Sequence, residues 1–302
     1  MVAPGSSFTS FVTPVVGAAA SLLLETARTD SELVGNPDAQ RPDVIKAVLL
    51  CGADRSNDWT NNPVDAGATR GWTDRGLDEV YGAGSLWVDD SHLILANGET
   101  NGQSTVPSEN TISAPGWALD TITIGDSSYW RFELTEASDV EFLATWYRKT
   151  NTVFSTSYVA DFDLLLWSVS GNDLNSLLGQ GPRVFGGNVT SESAIDNVEL
   201  IHATNLAPGE YVLQVSRVDG TSNATSDVAV AWKIPESSEV VLVGDFNNDN
   251  IVDISDFSIF LVNFGISCDL GDACVGDLNG DRTVNISDFS IFLVNFGTTA
   301  GG

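Results

Sequence analysis

The chain has 302 residues, 41 acidic against 13 basic, and a formal net charge of -28 at pH 7. That excess excludes nucleic acid and an anionic membrane surface as default partners. At 18% charged and 42% hydrophobic residues it is too apolar for a disordered acidic tail, and its length calls for two or three packed domains.

Residues 1–102 mix helical patterns with glycine-bearing turns. Pro14 to Thr26 is apolar almost all round, as in a buried helix, and Asp43 to Cys51 is a second apolar helical run, so the segment is expected to be α/β. The apolar stretch from Val15 to Leu24 lacks a preceding Lys or Arg for a signal peptide and is too short to span a bilayer. Cys51, within VLLCGA, is expected to be a buried spectator. A serine at the mouth of such a helix either caps it or acts as a nucleophile, because backbone donors and the helix dipole there favour an anionic intermediate.

The string SFTSFVTPVVGAAASLL, from Ser7 to Leu23, resembles the nucleophile motif of subtilisin-like serine proteases, S-G-T-S-x-A-x-P-H-V-x-G-A-A-A. Ser10 falls on the nucleophile and Pro14 on the proline four residues later, while Phe8 stands where that family has Gly and Val15 where His is usual. RPDVIKAVLLCGA from Arg41 and YGAGSLWV from Tyr81 are similar to the later helix and the terminal G-x-G segment of the same fold. In that family the Asp and His of the triad and the oxyanion-hole Asn precede the serine. The nine residues before Ser10 include none of these, and His92 and His202 lie downstream outside any family motif. The resemblance therefore implies the C-terminal part of a secreted serine endopeptidase, acting on peptide or protein, whose partner residues this chain lacks.

From 103 to 234 the pattern becomes period two. Trp130, Phe132 and Leu134 alternate with Arg131 and Glu133, and Val140, Phe142, Ala144 and Trp146 share one face. The alternation returns at Tyr211 to Ser216 and at Val228 to Trp232, with Pro208-Gly209 as a turn. An all-β sandwich follows, similar to domains that trail proteases in bacterial secreted enzymes. Five of the eight tryptophans (117, 130, 146, 167 and 232) lie here, as sugar-binding platforms or as core. Asp161 and Asp163 are either paired carboxylates or a solvated strand edge.

Beyond a short polar linker, Ile254 to Gly265 and Ile286 to Gly297 are twelve identical residues at an offset of 32. Each follows a loop of acids and amides that supplies oxygen at positions 1, 3, 5, 7, 9 and 12, the ligand register of a calcium loop. Loop one offers Asp245, Asn247, Asp249, the carbonyl of Ile251, Asp253 and Asp256. Loop two offers Asp277, Asn279, Asp281, the carbonyl of Thr283, Asn285 and Asp288. Two calcium ions are expected, with loop one the tighter because it has four carboxylates against three. Position 12 is Asp rather than Glu, and position 6, normally Gly, is Asn250 in one loop and Arg282 in the other.

Paired loops, each followed by a single helix, resemble type I dockerin modules over residues 241–298. The resemblance implies a module that folds on calcium and attaches a secreted protein to a cohesin-type receptor. The family's recognition pair at positions 10 and 11, often Ser-Thr, corresponds to Ile254-Ser255 and Ile286-Ser287. In the repeated helix, Phe257, Phe260, Leu261 and Phe264 are expected to form the core face, with Ile259 and Val262 off it, free for a partner or for the linker. Cys268 and Cys274 are not spaced for zinc and are expected to form a disulfide in an extracellular setting.

The expected fold is thus multidomain: a partial α/β subtilisin-like segment (1–102), an all-β sandwich (103–234) and a small α-helical dockerin with two EF-hand-like calcium loops (235–302). The expected function is that of a calcium-binding, dockerin-bearing C-terminal part of a secreted subtilisin-like endopeptidase, extracellular or at the cell surface. The alternative is a non-catalytic carbohydrate-binding or adhesion protein associated with polysaccharide degradation.

Overall fold

The computed structural model describes residues 9–55, 58–150, 153, 155, 157–158, 160–171, 173–220, 225–236, 242–247, 249, 251–268 and 274–299. The chain divides into two compact units, residues 1–237 and 238–302. Most of the first is β-sheet. In chain order it holds α1 (Thr9–Thr29), a 3-10 turn (Pro37–Gln40), α2 (Pro42–Cys51), β1 (Trp72–Thr73), α3 (Val88–Ala96), β2 (Gly116–Thr123), β3 (Ser127–Leu134) and β4 (Ser138–Thr145). There follow β5 (Lys149–Thr150), β6 (Ser157–Tyr158), β7 (Ala160–Ser170), β8 (Asp173–Ser176), β9 (Gly186–Gly187) and β10 (Thr190–Ser191). The long strands β11 (Val198–Leu206), β12 (Gly209–Gly220) and β13 (Thr225–Lys233) complete it, and the second unit contributes α4 (Ile254–Asn263) and α5 (Ile286–Asn295).

Two sheets form a sandwich. One runs β1, β10, β7, β12, β3 with β8 added to β7; the other runs β2, β13, β4, β11, β9. Side chains alternate across a pleated strand, so one set from each strand fills the space between the sheets. Trp130, Phe132 and Leu134 of β3, Val140, Phe142 and Ala144 of β4 and Val228, Val230 and Trp232 of β13 are all in that core. The phenyl rings of Phe132 and Phe142 meet across it at 5.3 Å. Arg131, expected to alternate outward into solvent, is buried as well: its guanidinium donates to the carbonyls of Pro107 and Gly171 and pairs with Glu210 at 2.7 Å. A loop covers that face, with the Thr111 and Ile112 N–H groups both donating to the Arg131 carbonyl.

The first hundred residues do not build a sheet of their own among the described residues, where β1 is their only strand, and it pairs with β10. Their helices instead cover the outer face of the five-stranded sheet. Leu23, Val44, Val48, Leu49, Ile94 and Leu95 pack against Trp117, Leu143, Leu200, Ala229 and Ala231. The change of pattern near residue 102 is therefore a change of secondary structure inside one compact unit. α1 is also less enclosed than its apolar sequence implies: Ala19, Leu23 and Ala27 at helical spacing are buried, whereas Val15 and Leu22 face solvent. Cys51 is buried as expected, and burial pushes its thiol up to about 12.

An ionic cluster fastens the helical layer to the sheet. Glu141, on the outer face of β4, contacts Arg55, His202 Nδ1 at 3.1 Å and Lys233 Nζ at 3.3 Å, and Lys233 also reaches Asp90 at 3.1 Å. Burial alone would raise the Glu141 carboxyl, but Arg55, His202 and Lys233 outweigh it and hold it at about 2.

Between the sheets lies a second buried carboxyl, Glu199 of β11, bonded to the Ser191 hydroxyl and to the Ser193 N–H at 2.9 Å. Burial pushes it up to about 8; the two serine bonds oppose the rise, and Asp163 and Asp196 add to it. The folded carboxyl keeps a proton that the unfolded one has lost, so this contribution is complete below the ordinary carboxyl range and is lost as pH rises through about 8. Each pH unit in that window removes on the order of 1.4 kcal/mol. Glu199→Gln is expected to flatten the decline in unfolding temperature of the first unit toward alkaline pH; an unchanged slope would contradict the assignment.

Candidate metal centre in the repeated loops

Each loop opens on a glycine with positive φ, 102° at Gly244 and 100° at Gly276. A Cβ at Gly244 would meet Phe292 of the other repeat at 3.1 Å, and one at Gly276 would meet Val284 at 2.9 Å. The glycines thus bring the first aspartate of each loop close to the shared core.

The two repeats pair reciprocally. The Val252 N–H donates to the Thr298 carbonyl at 2.9 Å and the Val252 carbonyl accepts from Gly297 at 2.7 Å. In the mirror arrangement Val284 donates to Ile266 at 2.9 Å and accepts from Gly265 at 2.8 Å. Each loop is therefore braced by the chain that leaves the other repeat's helix. Phe260 and Phe292 are fully buried with their rings 5.8 Å apart, and Phe246 stacks on both. Leu261 and Phe264, expected on the core face, are exposed, as are Leu293 and Phe296. The interface between two ten-residue helices and two loops is small, and the phenylalanines at 257, 260, 289 and 292 fill it.

Within this frame Asp245, Asp249 and Asp256 each present an oxygen within 4.8 Å of the others, and Asp277, Asp281 and Asp288 do the same. Two unit charges at such a distance repel by roughly 1 kcal/mol in water and about 4 kcal/mol at a protein surface. Three pairs per loop make a divalent cation the natural counter-charge, and an all-oxygen donor set suits a hard ion. The fully buried position-12 residues organise each cluster. Asp256 accepts from the backbone N–H groups of Phe246 (2.7 Å), Asn247 (3.2 Å) and Asp253 (2.9 Å); Asp288 accepts from Leu278 (2.9 Å), Asn279 (3.1 Å) and Asn285 (2.8 Å). Burial alone would raise the Asp288 carboxyl, but these donors outweigh it and hold it below the usual carboxylate range.

The other residues of the expected ligand register are tied into the same loops. Asn247 and Asn279 donate their amides to Asp249 and Asp281 at 2.8 and 3.0 Å and accept from the N–H groups of the same residues. Asp253 and Asn285, at position 9, cap α4 and α5 by accepting from Ser255 and Ser287, both at 2.7 Å. With Asp256 and Asp288 they complete two capping boxes, a pattern visible in the sequence but overlooked there in favour of the ligand count. The Thr283 carbonyl accepts from the Asn285 amide at 3.0 Å, and Ile251 pairs with Thr299. Asn250 lies outside the described residues; Arg282, its counterpart, adopts φ of 69°, the left-handed conformation that position 6 demands. Cys268 and Cys274 form a disulfide with a Cα–Cα distance of 5.8 Å.

Ser10 is an exposed residue in the first turn of α1, and Ser7 and Phe8 of its motif lie outside the described residues. Among the described residues no hydrogen bond joins Ser10 to a histidine: His92 is exposed on α3, and His202 is engaged by Glu141. Trp117, Trp130, Trp146 and Trp232 are buried, with their indole N–H groups on the carbonyls of Leu95, Thr100, Ala160 and Ala114, so these four are core rather than sugar platforms. Trp167 is half-buried and donates to Gln214 at 2.9 Å. Asp161 and Asp163 share one side of β7, where burial, Glu192 and Asp161 push Asp163 up to about 7.

The chain matches no protein-family model and no curated protein. Among solved structures it is similar to CorA, a surface-associated copper-binding protein of Methylomicrobium album BG8, at 11% identity over 45% of this chain and 99% of that one, with a TM-score of 0.27. It is also similar to the Salmonella Typhimurium PliG lysozyme inhibitor, at 15% identity over 43% and 98% of the two chains and a TM-score of 0.23. A CBM4 structure gives 10% identity, 38% and 66% coverage and a TM-score of 0.23. At these scores the likenesses carry no argument about function. Among the described residues no helix is long and apolar enough to cross a membrane.

Asp256→Ala and Asp288→Ala each strand three backbone donors, and either is expected to destabilise the second unit by about 3 kcal/mol. Urea unfolding of the full chain, followed by the NMR signals of residues 242–299, measures this. Midpoints equal to those of Ser255→Ala and Ser287→Ala controls would show that the buried carboxylates do not organise the loops.

Proposed function

We propose that the second unit is a calcium-binding module of the dockerin type, carried by the C-terminal part of a secreted subtilisin-like serine endopeptidase, and that it attaches that protein to a cohesin-type or cell-surface partner. One observation carries the calcium reading: carboxylates at loop positions 1, 5 and 12 converge in both repeats, 32 residues apart. Asp245, Asp249 and Asp256 would hold one ion and Asp277, Asp281 and Asp288 the other, with Asn247, Ile251, Asp253, Asn279, Thr283 and Asn285 within the same ligand register. A bound calcium ion supplies the positive charge that offsets carboxylate repulsion. The chain's own part is to preset the loops through the capping boxes and the reciprocal backbone pairing.

Attachment is supported by apolar side chains that the module leaves in solvent. Ile254 and Val262 are 64% and 79% exposed, and their repeats Ile286 and Val294 are 65% and 83% exposed. Ile254-Ser255 and Ile286-Ser287 occupy the positions that recognise the receptor in dockerins, so a cohesin-type partner would meet an apolar residue there. The peptidase reading rests on the resemblance of the Ser10 string and of the segments from Arg41 and Tyr81; among the described residues no base is bonded to Ser10, and we read the chain by itself as a binding and attachment piece.

Calorimetric titration of the full chain with calcium is expected to give two ions, the tighter one abolished by Asp245→Ala and the weaker by Asp277→Ala. A stronger loop two would reverse the assignment, and absence of binding would overturn the calcium reading. The purified chain is expected to leave casein intact; cleavage lost on Ser10→Ala would show that a complete catalytic site forms.

A further inference from the structure

The two loops are near copies, yet only loop two carries a covalent brace at its edges. The Asp277 N–H, at the start of the loop, donates to the Cys274 carbonyl at 3.1 Å, and the Cys268 N–H donates to the Arg282 carbonyl at 2.9 Å. The Cys268–Cys274 disulfide therefore joins the residue that anchors position 1 to the residue that anchors position 6. In loop one the position-1 bond is repeated, Asp245 N–H to the Leu242 carbonyl at 3.0 Å, but the counterparts of the two cysteines are Leu242 and Ala300, so no such tie is available.

Loop two is also the one that needs a brace. Arg282 is held at φ 69°, a left-handed conformation that strains a non-glycine residue, with its N–H on Asp277 Oδ2 at 2.7 Å. The position-9 side chain is an amide, Asn285, where loop one has Asp253, so loop two has one carboxylate fewer to draw in a cation.

We infer that the disulfide is a positioning element for the second calcium site: closed, it holds the strained Arg282 turn and the Asp277 backbone in ligand geometry, and opened, it lets loop two relax and lose its ion while loop one keeps its own. The inference rests on the calcium reading above and adds redox control of one site. Opening needs a dithiol: the S–S bond breaks, two electrons and two protons pass to Cys268 and Cys274 as thiols, and the dithiol closes to its own disulfide. By reciprocity, calcium in loop two makes the disulfide harder to reduce.

The test is calcium calorimetry on the oxidised full chain, on the Cys268→Ser/Cys274→Ser double variant, and on that variant with Arg282→Gly added. Loss of the disulfide is expected to weaken loop two by roughly tenfold with loop one unchanged, and Arg282→Gly is expected to restore most of the loss. Retention of the first ion shows that the module has folded. In parallel, calcium is expected to shift the equilibrium of the disulfide with a dithiothreitol redox buffer toward the oxidised form, read by thiol alkylation and mass spectrometry. Equal affinities with and without the disulfide, equal weakening of both loops, no recovery with Arg282→Gly, or a disulfide–dithiol equilibrium indifferent to calcium would each overturn the inference. Two ions bound with any of these results leaves the calcium reading standing. A wild-type chain that binds none removes both.

Discussion

A carboxylate taken out of water must be paired with a cation, keep its proton or be wrapped in hydrogen-bond donors, and this acidic chain meets that constraint in all three ways. Glu141 is ionised among Arg55, His202 and Lys233, at the seam where the helical layer meets the sheet. Glu199 lies between the sheets with its carboxyl pushed up to about 8, so it enters the core as a neutral acid. Asp256 and Asp288 each take three backbone N–H groups, which turns two acidic loops into defined cups. The sandwich seam, its interior and the repeated module each rest on one of these solutions.

Reciprocity distinguishes the second unit. Neither repeat buries its own helix: Phe260 and Phe292 meet each other, and the edge of each loop bonds to residues that follow the opposite helix. A small unit of this kind has little core to stabilise it, and below about 70–80 residues metals and disulfides commonly make up the deficit. Both means are at hand in a unit of residues 238–302, which has two carboxylate clusters and one disulfide.

Much of this was legible in the sequence. Period-two alternation located β3, β4, β12 and β13 and their core residues, because a sheet with both faces covered still sorts its largest side chains inward. The carboxylates at loop positions 1, 5 and 12 were legible because ligand spacing is local. What failed was long-range. Nothing in the first hundred residues reveals that their helices cover a sheet made from later strands, or that Arg131 is enclosed by a distant loop. Leu261 and Phe264 fit a helical stripe, but the partner helix is too short to cover them. The position-9 residues Asp253 and Asn285 also cap α4 and α5, a second task that the D-x-x-D and N-x-x-D spacing carries locally.

The account turns on cation-dependent order in the second unit. Hydrogen–deuterium exchange of the full chain, read by mass spectrometry with and without a calcium chelator, tests it directly. Chelation is expected to strip protection from peptides within 242–299 while those from β3, β4, β12 and β13 exchange as before. Identical protection of the repeated loops in calcium and in chelator would contradict the account.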